Sequence, residues 1–117
     1  MLNGSGTDPN YLVIDGIANG SGTTLHTFDL SALMTTPPDD GNIITAVWDI
    51  EGDDITLVSI QISGSSAETI NSTYTLTGGA ATAHGSGSGA HQFGLYTNTK
   101  NAGSLDLWEA FKTEAVP

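Results

Sequence analysis

The chain contains no cysteine and no arginine, and its only lysines are Lys100 and Lys112. Without thiols it can form neither disulfides nor thiolate metal sites, so stability must come from packing and hydrogen bonding. Against two cations stand 13 carboxylates, a formal charge of -11 over 117 residues. That balance excludes nucleic acid and anionic lipid as electrostatic partners, because repulsion from phosphate would dominate. Apolar runs are also short. None approaches the roughly 20 residues a membrane-spanning helix requires. The opening MLNGSGTDPN has no basic patch and no apolar h-region, so no secretory signal is expected and the chain reads as a complete cytoplasmic product. The Asn-x-Ser/Thr matches at Asn3, Asn19 and Asn71 then carry no meaning as glycosylation sites.

What is present is β-branched residues, glycine and threonine in alternating stretches. The stretch around which the rest is arranged is Gly41 to Ile62, GNIITAVWDIEGDDITLVSIQI. Ile43 to Ile50 and Ile55 to Ile62 flank an acidic turn containing Gly52, the local signature of a hairpin. With Gly52 and Asp53 as the turn, Ile50 faces Ile55, Trp48 faces Leu57 and Val47 faces Val58. Strict alternation puts Ile44, Ala46, Trp48, Ile50, Ile55 and Leu57 on one face and Ile43, Val47, Val58, Ile60 and Ile62 on the other. Both faces are apolar, which predicts a ribbon covered on each side.

Around it, residues 1–10 are expected to form an extended N-terminal arm, and residues 11–117 a single domain large enough to bury roughly 60–70% of its unfolded surface. Tyr11 to Asp15 reads as a strand stopped by Gly16, followed by loop through Thr24. Leu25 to Leu30 alternates, with His26, Phe28 and Leu30 on one side. A helical turn fits Ser31 to Met34, ended by Pro37 and Pro38, and a turn fits Asp39 to Gly41. Thr69 to Thr77 alternates with Ile70, Tyr74 and Leu76 inward. Gly78 to Gly89 is low in bulk and predicts a long surface loop. Ala90 to Tyr96 resumes the two-residue period, and Ser104 to Lys112 closes the sheet as a strand joined through a turn at Asn101 to Gly103. The sum is an all-β protein, an antiparallel β-sandwich or jelly roll of about seven to eight short strands with an extended N-terminal arm.

Catalytic patterns fail one by one. The acidic cluster Asp49, Glu51, Asp53 and Asp54 offers hard oxygens for calcium, but its glycine falls at the wrong place for an EF-hand and the closing glutamate is missing, so a solvated turn is the plainer reading. His26, His84 and His91 lack the spacing of a metal or acid/base group. The serines have no nucleophile elbow, and the carboxylates no privileged pair. Gly85 to Ala90, GSGSGA, matches a relaxed dinucleotide fingerprint, but a strand is expected after it where that motif needs a helix. Trp48, Trp108, Tyr11, Tyr74 and Tyr96 could build a sugar-stacking platform. Trp48 is expected in the core instead, whereas Tyr96 and Trp108 run out of phase with their apolar neighbours and point to an interface or ligand patch.

The segments ITAVWDIEGDDITLVS and GLYTNTKNAGSLDLWEAFK, separated by a glycine- and serine-rich middle, resemble small virion structural proteins of tailed phages, particularly marine ones. Those chains share an I-x-x-x-W-x-I-x-G-x-x-I-x-L hairpin, a glycine-rich segment and a closing strand that ends near a lysine. The resemblance spans Gly41 to Lys112 and carries no catalytic motif. It implies a β-sandwich that decorates or cements a capsid, a homotrimer whose partners are the major capsid protein and copies of itself, with an arm that reaches a neighbour. It implies no enzyme activity, no cofactor and no metal, and a place on the capsid surface after synthesis in the host cytoplasm. The near-absence of basic residues departs from that pattern. Leu2, Asn3, Tyr11, Tyr96 and Trp108 are the candidate contact residues. The rival expectation is a carbohydrate-binding or adhesin domain of a tail fibre or surface protein.

Overall fold

A computed structural model describes residues 2–3, 11–18, 20–39 and 42–85. They form two antiparallel three-stranded sheets and two short helices. The first sheet orders β1 (Leu2–Asn3), β2 (Tyr11–Ala18) and β3 (Ser21–Asp29). The second orders β4 (Ile44–Glu51), β5 (Asp54–Ile62) and β6 (Glu68–Thr75). Helix α1 (Leu30–Leu33) follows the first sheet and α2 (Gly78–His84) the second. The all-β class expected from the sequence therefore holds. The strands expected at Ala90 to Tyr96 and Ser104 to Lys112 lie outside the described residues.

The first sheet differs from expectation at its hairpin. Gly16 does not stop β2, and the stretch expected to be loop is largely strand, since Ala18 pairs with Ser21 and Gly16 with Thr23. The chain reverses between Ala18 and Ser21, with Gly20 at φ +77°, where a side chain would be strained. An Asn-Gly pair between strands is the strongest short hairpin signal, and it outweighs a single glycine inside the ladder. Between Ile14 and Asp15 the register slips by one, leaving Leu25 as a bulge in β3.

The central hairpin keeps the expected turn, with Glu51 opposite Asp54, Ile50 opposite Ile55 and Trp48 opposite Leu57. Beyond that the register shifts. Val47 faces Ser59 instead of Val58, because Val58 is the extra residue of a β-bulge. The bulge moves Ile60 and Ile62 onto the side of Ile55 and Leu57, where they pair with Ala46 and Ile44. The expectation of two apolar faces is thus corrected: one face gathers Ile44, Ala46, Trp48, Ile55, Leu57, Ile60 and Ile62, while Ile43 and Val47 remain exposed. A second register shift lies between β5 and β6, close to Asn71 at φ +50°.

The core is where the two sheets meet. Leu12, Phe28, Leu30 and Met34 from the first sheet and α1 pack with Leu57 and Ile60, and Ile14, Trp48, Ile70 and Tyr74 flank them. Helix α1 forms because Asp29 caps it, its carboxylate accepting from the amides of Ser31 at 3.0 Å and Ala32 at 3.3 Å. This is the helical turn expected near Ser31 to Met34, and it drives Leu30 and Met34 into the core.

Helix α2 corrects the expected surface loop over Gly78 to Gly89 for its first seven residues. Its three alanines are the best helix formers available, and the missing bulk of its glycines is not decisive once the helix can dock. It docks through His84, whose ring lies against Gly16: a Cβ at Gly16 would sit 2.5 Å from His84 Nε2 and 2.7 Å from Cδ2. The helix also means that GSGSGA follows a helix, whereas a dinucleotide fingerprint requires a preceding strand.

Candidate contact surface

The polar groups with chemical potential are mostly engaged in holding the fold. Glu68, at the start of β6, reaches the loop after α1 and accepts from the amides of Thr35 at 2.8 Å and Thr36 at 3.1 Å, one on each carboxylate oxygen. A carboxylate on two backbone amides ties the second sheet to the first. No sequence pattern marks this clamp, since the partners are 32 and 33 residues away. Asp29 caps α1, Asp15 accepts from Thr24 Oγ1 at 2.9 Å, and Asp54 accepts from Thr75 Oγ1. In the acidic turn, the Asp53 carbonyl accepts from Leu76 N at 2.8 Å, and the Asp53 side chain lies at Gly85. Among the described residues no three His, Asp or Glu side chains gather closely enough to hold a metal ion.

The histidines and aromatics have structural partners as well. His26 stacks flat on Tyr74, with ring centroids 4.7 Å apart and planes 9° from parallel, and it meets Phe28 edge-on at 4.6 Å. Phe28 in turn meets Trp48 edge-on at 5.4 Å. The row Tyr74, His26, Phe28, Trp48 crosses twice between the sheets, each contact adding about 0.5–1.5 kcal/mol beyond area burial. Trp48 packs against the core as expected, and Tyr74 offers one of its faces to His26. His84 sits against Gly16, and His91 lies outside the described residues.

The contact candidates from the sequence divide in the same way. Leu2 and Asn3 form β1, paired antiparallel with Leu12 and Tyr11. Tyr11 is half-buried at the start of β2 and is flanked on its other side by Asp29. These three candidates therefore come together at one sheet edge. Tyr96 and Trp108 lie outside the described residues. Sequence reasoning missed a second surface: the β4 edge, where Ile43, Val47 and Ile50 are 52%, 47% and 40% exposed. No sequence signal marks it, because strict alternation sets Ile43 and Val47 beside Val58, Ile60 and Ile62 on a second apolar face, and only the bulge at Val58 turns Ile60 and Ile62 away from it.

No family model matches this chain, and no curated protein or solved structure does either. Among the described residues no helix is long and apolar enough to cross a membrane.

Proposed function

We propose that this chain is a non-enzymatic structural protein of a phage virion, a decoration or cement protein that binds the assembled major capsid protein and stabilises the shell. The observation that carries the reading is β1. Two residues of the N-terminal stretch add to the edge of β2 as an antiparallel strand, and strand addition of this kind is how an extended arm gains affinity for a neighbouring sheet. Because β1 covers only Tyr11 and Leu12, the rest of that edge, Val13 to Ala18, has no further strand beside it among the described residues. Ile17 on this stretch is 50% exposed.

In this reading the complete fold is a β-sandwich or jelly roll of about seven to eight strands, with residues 1–10 as arm and 11–117 as the domain. Three copies assemble near a symmetry axis, and Leu2, Asn3, Tyr11, Tyr96 and Trp108 line the contacts with capsid and subunit. The net charge of -11 turns the protein away from nucleic acid and anionic lipid and suits a basic rim on the shell. Its place is the capsid surface, after synthesis in the host cytoplasm.

The test is to delete residues 1–10 and measure occupancy and heat resistance of the phage particle. Reduced occupancy and earlier particle breakage are expected. Full occupancy with unchanged heat resistance overturns the arm's role, and a protein that binds glycans in a chelator-sensitive screen while ignoring capsids overturns the whole reading.

A further inference from the structure

The edge of β4 is an open flank of an otherwise ordered sheet. Among the described residues β4 has a neighbour on one side only, β5. Val47 is exposed on its outer face, as is Ile43 just before the strand, and at its end Ile50, in phase with the core residues, is still 40% exposed. Ile44, Ala46 and Trp48 reach only partial burial, although they pack against the core. The opposite edge, β6, exposes Thr69, Asn71, Thr73 and Thr75 and has no such apolar row. An unpaired strand rich in exposed isoleucine and valine is a site for another strand.

The described chain ends where it can supply one. Gly85 lies against the Asp53 side chain, so closely that a Cβ on Gly85 would collide with Asp53 Oδ1. Asp53 belongs to the turn that joins β4 to β5, so the chain leaves the described fold at the turn end of β4. From there, residues 86–89 are Ser-Gly-Ser-Gly. Four residues span up to roughly 13 Å, enough to pass one or two strand spacings of about 4.8 Å. Next comes Ala90 to Tyr96, seven residues with the two-residue period through His91, Phe93 and Leu95, against the eight residues of β4. Running back from the turn, that stretch has the direction an antiparallel partner of β4 needs, with no crossover.

Charge is compatible with this source. The β4 edge carries exposed Asp49 and Glu51, and residues 90–96, AHQFGLY, bring no carboxylate to lie opposite them.

We propose that residues 90–96 of the same chain close the β4 edge as an antiparallel fourth strand, with Phe93 and Leu95 on the side of Trp48 and Ile50. This inference is independent of the capsid reading.

Two measurements on the full chain test it. In hydrogen exchange of the unmodified protein, the β4 amides that point away from β5 exchange at least about 100-fold more slowly than unstructured amides, and the protection does not change on dilution. In the second, a nitroxide is attached to Val47→Cys, unique because the chain has no other cysteine, at an exposed position where folding tolerates it. Resonances of residues 90–96 are then broadened within the labelled chain. Free exchange of those β4 amides, broadening confined to another segment, or broadening seen only between an isotope-labelled chain and a separate spin-labelled copy each overturns the proposal, the last in favour of strand exchange between copies.

Discussion

Replacing Gly16 by alanine isolates the contact that docks α2 onto the first sheet. The Cβ it introduces falls 2.5 Å from His84 Nε2, 2.7 Å from His84 Cδ2 and 3.0 Å from Leu25 Cδ1. All three are the ends of side chains, so the histidine ring and the leucine methyl are displaced and the backbone is not. Overpacking of this kind costs about 1–3 kcal/mol. The backbone effect has the opposite sign. Gly16 lies in a strand and is not among the glycines with positive φ, so alanine fits its conformation and gains about 0.5–1 kcal/mol by restricting the unfolded chain. The net loss for Gly16→Ala is therefore about 0–2.5 kcal/mol. In a His84→Ala background most of the clash disappears and the same change stabilises, leaving a coupling of about 1–3 kcal/mol between the two sites. Urea unfolding of the four proteins measures the cycle. At an m-value of about 1–1.5 kcal/mol/M, a coupling in that range makes the midpoint shift caused by Gly16→Ala differ between the two backgrounds by roughly 0.7–3 M. Equal effects of Gly16→Ala in both backgrounds would refute the proposed contact, and with it the docking of α2 through His84.

Three further perturbations probe the frame. Glu68→Ala removes the acceptor of two backbone amides and should cost about 1–3 kcal/mol, read as faster exchange at Thr35 and Thr36 with the β2–β3 amides little changed; unaltered exchange there would mean the clamp does not hold the loop. Leu57→Ala empties a fully buried position between the sheets and should lower stability by about 2–5 kcal/mol, measured by calorimetry; a loss below 1 kcal/mol would contradict a shared core. Asp29→Ala removes the cap of α1 at a cost of about 1 kcal/mol, whereas Asp29→Asn should retain most of it in the same denaturation assay.

How far the sequence determined this protein follows from the range of the forces involved. Alternation in β3 and β6, the turn at Gly52 and Asp53, the helical turn near Ser31 and the pairing of Trp48 with Leu57 were legible, because they depend on side-chain period and local turn chemistry. The Asn-Gly pair between β2 and β3 is a local hairpin signal too, which the expectation of a loop from Ile17 to Thr24 passed over. Among the contact candidates, Leu2, Asn3 and Tyr11 could be placed at one edge only once β1 paired with β2. Tertiary structure alone decided the bulge at Val58. A strand can accommodate an extra residue almost anywhere, and the position chosen is the one that turns Ile60 and Ile62 toward Leu12 and Phe28. It decided α2 in the same way, since a seven-residue helix of glycine and alanine is too short to persist by propensity and forms where its histidine meets a glycine on another strand. The Glu68 clamp likewise exists only after two sheets have met. Period and turns are properties of neighbours along the chain, whereas bulges, docked helices and long-range carboxylate contacts are selected by what lies opposite in space.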